Sequence, residues 1–304
     1  MNINVQIDTN LLDQMEKEYL NFKIENKFDD LKEKICFLGI NLDNDKNVIT
    51  NFKIYLEADI NEIAKEVELI NQLQKREMVH VVNRVIDKEN ETKLRYDIGL
   101  LNRNNENMCW LYQELKERCS FLERNIEEIN NMITLSTCQF SNYQYAALYF
   151  LGIIANLNDE GTEDVNVIKL HYLLRDCNNP EKIGEDYIID NTVKFEQLKK
   201  IKENELTQIV EVIEEIIKNT STELWIVAVD YYDNGKKKYK IYVKKTEKEQ
   251  MMKIYDALLK RGINNLANKV LTYINWVKTH PELKCYGWAL CYDNMGKWSL
   301  NFYY

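Results

Sequence analysis

Apolar and polar positions along this chain change period again and again, and in a fixed order. Five segments consist of an apolar strand, a turn built from Asp, Asn, Gly and Lys, and a returning strand that alternates polar with apolar. They are ICFLGINLDNDKNVITNFKIYLEA from Ile35, VHVVNRVIDKENETKLRYDIGLL from Val79, AALYFLGIIANLNDEGTEDVNVIKLHYLL from Ala146, LWIVAVDYYDNGKKKYKIYVKK from Leu224 and YGWALCYDNMGKWSLNFYY from Tyr286. Stretches of helical period precede and separate these copies, over Leu11 to Lys34, Ile60 to Glu77, Asn107 to Thr134, Thr192 to Asn219 and Glu247 to Lys278. The unit that repeats is therefore hairpin and helix, not strand and crossover.

The helical stretches set Ile, Leu, Val and aromatic residues against Lys and Glu, as in EIAKEVELINQL and ELTQIVEVIEEIIKN. Amphipathic helices of this kind need an apolar surface to cover. The returning strands offer one, because side chains alternate across a strand. Phe52, Ile54 and Leu56 oppose Asn51, Lys53, Tyr55 and Glu57, while Leu94, Tyr96 and Ile98 oppose Lys93, Arg95 and Asp97. Ile168, Leu170 and Tyr172 oppose Lys169 and His171; Tyr239, Ile241 and Val243 oppose Lys238, Lys240 and Tyr242; Leu300 and Phe302 oppose Ser299, Asn301 and Tyr303. With helices on the apolar face, the second face carries cations and aromatic rings.

An open antiparallel sheet with one wet face would house that texture. Ten strands covered on one side only, however, would leave long edges and a broad sheet that tends to curl. Closure removes the edges and converts the polar face into a lumen. The expected fold is a closed ten-stranded antiparallel barrel of five hairpins ringed by helices, in one α/β domain spanning residues 1–304. The chain has only two prolines, Pro180 and Pro281, and no segment that reads as a linker.

Composition narrows the function. Forty basic and forty-nine acidic side chains give a net charge of −9 with no block of Lys and Arg, which argues against nucleic acid and anionic membranes as partners. No apolar run approaches the roughly 18 residues of a membrane span, and the N-terminus lacks a signal-like pattern; a soluble, cytoplasmic monomer is expected. Seven cysteines without a CxxC pair point to reduced thiols and no zinc site. Asp29, Asp30 and Glu33 spell DDLKE, but no second such motif accompanies it, so a solvated helix face is expected there. His80, His171 and His280 are the only histidines, and neither a GxSxG elbow nor a Gly-rich phosphate loop is present.

In this order of elements, and in the segments VIKLHYLLRDCNNPEK around Lys169, VDYYDNGKKKYKIYV around Lys240 and the ending WSLNFYY, the sequence resembles the aromatic prenyltransferases of the αββα barrel class, in particular the cyanobactin-type peptide prenyltransferases. The resemblance implies transfer of a dimethylallyl or related group from an allylic diphosphate to an aromatic or other nucleophilic side chain of a peptide. The alternatives are a small indole or phenol acceptor, or a non-catalytic barrel that binds a ligand or peptide. It places Lys53, Lys93, Arg95, Lys169, Lys238 and Lys240 at the diphosphate, and Tyr55, His171, Tyr242 and Tyr303 around the carbocation. No resident cofactor or metal site is implied; Mg2+ would come, if at all, with the diphosphate. Relatives carry an inward acid on the outgoing strand of the first hairpin, where this chain has Leu38, Gly39, Ile40 and Asn41. Asp230, and secondarily Asp97, are the substitutes expected to take the proton.

The chemistry asks for these residue types in any case. Breaking a carbon–oxygen bond to diphosphate builds negative charge that fixed cations in a dry cavity stabilise better than water does. The allylic cation left behind is held by ring faces at roughly 0.5 to 2 kcal/mol each, and a tyrosine wall excludes quenching water.

Overall fold

The structure, a computed structural model, describes residues 9–25, 35–44, 51–87, 93–136, 138–140, 143–145, 148–157, 163–174, 191–201, 203–218, 220, 222–244 and 248–304. The DDLKE segment, Cys177 and Pro180 lie outside the described residues.

Each stretch of helical period forms helix, but four of the five are interrupted. The first gives α1 (Thr9–Glu25). The second divides into α2 (Ile60–Glu66) and α3 (Glu68–Lys75) because Val67 leaves helical geometry at φ −121°. α2 begins where the Asp59 carboxylate accepts from the Asn61 backbone N–H at 2.8 Å, a side-chain cap for an otherwise orphaned donor. The third becomes α4 (Asn105–Arg118), a 3-10 turn (Ser120–Asn125) and α5 (Ile126–Ser136). The fourth becomes α6 (Asn191–Lys199) and α7 (Asn204–Ile217), and the fifth α8 (Lys248–Lys260) and α9 (Asn264–Lys278). Gly262, at φ +74°, turns the chain between the last two, a backbone conformation glycine adopts without a Cβ penalty.

The hairpins pair as expected: β1 (Ile35–Asp43) with β2 (Asn51–Glu57), β3 (Val79–Asp87) with β4 (Leu94–Leu100), β7 (Leu148–Leu157) with β8 (Glu163–Leu173), β9 (Glu223–Tyr232) with β10 (Lys237–Lys244), and β11 (Gly287–Asp293) with β12 (Trp298–Tyr303). Between the second and third hairpins lies a small sheet the sequence pattern did not suggest, β5 (Cys138–Phe140) against β6 (Tyr143–Tyr145). The ten longer strands close in the order β1-β12-β11-β10-β9-β8-β7-β4-β3-β2, all antiparallel. Closure runs through β1 and β12, with Gly39 opposite Tyr303 and Asn41 opposite Asn301. Outgoing and returning strands alternate around the barrel, so every hairpin turn lies at one end and every helical connection leaves from the other.

Helices cover the outside. Ile54, Ile98, Ile168, Leu170, Ile241, Leu300 and Phe302 on the strands are fully buried, as are Leu206, Ile209 and Ile213 of α7 and Leu266 and Val270 of α9. Tyr273 of α9 stacks on Phe302 with centroids 4.1 Å apart. α1 is tied in where the Trp276 indole N–H donates to Glu16 at 2.6 Å. Each such aliphatic or aromatic side chain contributes about 1.5–3 kcal/mol, and this burial leaves the lumen face to the polar set.

Candidate active site within the barrel

The lumen divides into two halves of opposite chemistry. Toward the hairpin-turn end lies a polar cavity of about 520 Å³, lined by seven cations, Lys53, Lys93, Arg95, Lys169, Lys236, Lys238 and Lys240, against four carboxylates. All six cationic positions expected at a diphosphate are in it. Toward the end from which the helices leave lies a smaller aromatic cavity of about 130 Å³, walled by Phe37, Phe150, Trp225, Tyr286 and Trp288. Five residues border both halves: Tyr55, Asp97, His171, Tyr242 and Tyr303. Four of these are the positions the sequence set around a carbocation.

The four rings form a continuous belt. His171 and Tyr242 have centroids 5.6 Å apart, Tyr242 and Tyr303 5.7 Å, and Tyr303 and Tyr55 6.2 Å. His171 Nε2 and the Tyr242 hydroxyl share a hydrogen bond of 3.1 Å. Burial, followed by the nearby Lys240 charge, pushes the His171 imidazole down to about 4, so it is neutral at physiological pH. Burial holds the Tyr242 and Tyr303 hydroxyls protonated, well above their ordinary range.

Geometry explains why four large side chains fit on one level. They stand on returning strands, and three of them have a small residue on one of their two outgoing neighbours, Ala228 beside His171, Ala289 beside Tyr242 and Gly39 beside Tyr303, while Tyr55 lies between Phe37 and Val85. A Cβ on Gly39 would come within 3.1 Å of the Tyr55 ring. In the stretch where the resemblance implies an inward acid, the space beside Gly39 is thus taken by an aromatic edge. On β7, Gly152 lies opposite both Asp97 and Lys169, and a Cβ there would meet Asp97 Oδ1 and Lys169 Cβ, each at 2.9 Å.

The two candidate acids differ in setting. Asp230 borders only the polar half and forms an ion pair with Lys240 at 2.5 Å; despite burial, Lys240 and then Lys169 hold its carboxyl far below the usual range. Asp97 sits at the belt, its Oδ1 buried without a hydrogen-bond partner. Burial would raise its pKa, but the charges of Arg95 and then Lys169 and Lys240 keep it below the ordinary carboxylate value. Lys169 is 4 % exposed and makes no ion pair among the described residues. Burial, and the Arg95 charge after it, lower its pKa well below that of a free lysine.

The sequence pattern missed part of the lining. Asn41 donates to Asn301 at 2.6 Å across the closing seam, and Asn156 and Asn166 line the polar half. Phe37, Phe150 and Trp225 stand on outgoing strands, whose own alternation was the available signal. Val243 was expected to face outward; a register shift between Tyr242 and Val243 lets both border the aromatic half. Among the described residues no cluster of His, Cys, Asp or Glu could hold a metal ion, and no helix is long and apolar enough to cross a membrane.

No protein-family model matches the sequence, and no curated protein matches it. Solved structures do match its shape. The NotF prenyltransferase superimposes with a TM-score of 0.56 at 9% identity, covering 88% of this chain and 79% of that one. AnaPT from Neosartorya fischeri gives 0.54 at 10% identity, with 88% and 77% covered. NotF in complex with brevianamide F and DMSPP gives 0.52 at 10% identity, with 88% and 79% covered. The chain has the fold of these prenyltransferases, a closed ten-stranded barrel of five hairpins within a ring of helices.

Proposed function

We propose that this protein is a prenyltransferase that moves an allylic group, dimethylallyl or a close relative, from its diphosphate to a small aromatic acceptor of the indole or phenol type. The observation that carries this reading is the junction of a cation-lined half with an aromatic half at a belt of four rings and one carboxylate. Buried cations in excess of anions are costly, and the seven cations against four carboxylates in the polar half would be balanced by a diphosphate.

In the reaction the donor's carbon–oxygen bond breaks and diphosphate keeps the electron pair, held by Lys53, Lys93, Arg95, Lys169, Lys238 and Lys240. The allylic cation lies between Tyr55, His171, Tyr242 and Tyr303. The acceptor ring, seated among Phe37, Phe150 and Trp225, forms the new bond, and Asp97 takes the displaced ring proton as general base. Asp97 is preferred to Asp230 because it borders both halves, whereas Asp230 neutralises Lys240 within the polar half. A small acceptor is supported by the likeness to NotF, which is described with brevianamide F and DMSPP. The peptide acceptor expected from the cyanobactin-type resemblance has no such support.

The test is incubation of purified protein with dimethylallyl diphosphate and a panel of indoles, phenols and aromatic peptides, followed by mass spectrometry. One added dimethylallyl unit on an indole or phenol, with release of one diphosphate, is expected. Modification confined to peptides would reverse the acceptor assignment, and no product with any member would leave a binding barrel.

A further inference from the structure

The two halves of the lumen reach the surface at opposite ends of the barrel. The polar half is bordered by Asp233 and Asn234, both exposed in the β9–β10 turn, and by the half-exposed Lys236 and Lys238. The aromatic half is bordered by Phe37 and Tyr286, which are 38% and 48% exposed at the other end. Between them runs the belt of His171, Tyr242, Tyr303 and Tyr55.

We infer that the two substrates use separate doors: the diphosphate enters, and inorganic pyrophosphate leaves, through the hairpin-turn end, while the acceptor enters and the product leaves through the aromatic end. The inference rests on the proposed transfer for what the substrates are, and on the charge layout for the route. An anion arriving from the aromatic end would shed its water among Phe37, Trp225, Tyr286 and Trp288 and then cross a belt whose only charged member is the carboxylate of Asp97. Desolvating an anion against apolar walls is strongly unfavourable. From the hairpin-turn end it meets Lys238 and Lys236, the latter paired with Asp293 at 3.0 Å, passes the carboxylates of Asp233 and Asp43, and descends toward Lys240 and Lys169 past Lys53, Lys93 and Arg95. Seven cations against four carboxylates give this cleft an excess of positive charge, and a cleft with an excess of one sign between low-dielectric walls focuses the field and raises the association rate of the opposite charge. The consequence is that a bound acceptor does not trap the leaving diphosphate.

Stopped-flow binding of dimethylallyl S-thiolodiphosphate, with inorganic pyrophosphate as a second probe, tests the route on the whole chain. Asp233→Asn should raise the association rate about two- to fivefold at low salt and Lys236→Gln should lower it by a similar factor, both effects fading near 0.5 M salt. Lys244→Gln and Arg103→Gln, at the aromatic end where these cations lie over Trp225 and Tyr149, should leave it unchanged. Saturating indole should change neither the association nor the dissociation rate of pyrophosphate. A rate that responds to Lys244 and Arg103 but not to Asp233 and Lys236, or pyrophosphate trapped by indole, overturns the inference. If pyrophosphate shows the expected dependence while no acceptor is ever prenylated, the route stands and the transfer reading falls.

Discussion

At the scale of single residues, identical chemical groups acquire different tasks from their neighbours. Asp97 and Asp230 are both lumen carboxylates and each keeps one buried oxygen without a hydrogen-bond partner, yet Asp230 is paired with Lys240 and borders only the polar half, whereas Asp97 stands at the belt and makes no ion pair among the described residues. Asp97→Asn should lower turnover about 10²- to 10⁴-fold, the usual contribution of a general base, with binding of the thiolodiphosphate analogue retained. Asp230→Asn should instead change analogue affinity, because Lys240 loses its partner. Steady-state rates and calorimetry on both variants separate the roles, and equal turnover in Asp97→Asn and wild type would remove Asp97 from the chemistry. Lys169 gives a pH prediction of fixed sign. Its pKa lies well below that of an ordinary lysine, through burial and then the Arg95 and Lys240 charges, and a bound diphosphate pushes it back up. Between the free and bound values the analogue therefore binds together with a proton, and affinity declines as pH rises. Calorimetry in two buffers of different ionisation enthalpy should register that uptake in wild type and lose it in Lys169→Met.

At the scale of elements, the division of labour within each hairpin decides what the lumen can hold. Returning strands bear the long functional side chains, and outgoing strands bear Gly39, Gly152, Ala228 and Ala289 beside them. The returning-strand pattern was legible from alternation alone: Lys169 and Lys240 as well as His171 and Tyr242 take the face the sequence assigned. The small partners were not legible, since a glycine in a strand carries no period and its reason appears only when the facing ring or amine is known. Gly152→Ala would force its new methyl to within 2.9 Å of both Asp97 and Lys169. Overpacking of this kind costs about 1–3 kcal/mol. The variant should remain folded, with a lowered unfolding midpoint, and should lose more in turnover than in acceptor affinity because the carboxylate moves. Wild-type turnover in this variant would mean that the Asp97 position is not tightly set.

At the scale of the whole molecule, closure makes the site. β12 contributes Tyr303 to the belt and joins β1 to β11 through pairs on both of its sides. Truncation after Lys297 should expose β1 and β11 as unpaired edges, which seek new strands, and should break the belt. Light scattering on the truncated chain should show aggregation, and any soluble fraction should lack transferase activity; a well-behaved monomer with normal activity would mean that closure is dispensable. The helical ring follows the same logic from outside, where Ile209 and Ile213 of α7 and Val270 of α9 are buried in the core between the barrel and the helices that cover it.

The sequence by itself determined the order of elements, the five hairpins, the side of each returning strand that faces inward and the cations gathered there, because a two-residue period and local turn chemistry are written residue by residue. The tertiary structure alone decided the rest. The lumen's division into a cationic and an aromatic half depends on where along the barrel axis each residue stands, which strand stagger fixes and periodicity does not. The breaks at Val67 and Gly262 within the helical stretches, the inward turn of Val243 at a register shift, and the choice between Asp97 and Asp230 all depend on partners far away in sequence. Local pattern specifies which face a side chain takes; only the closed barrel specifies what it meets there.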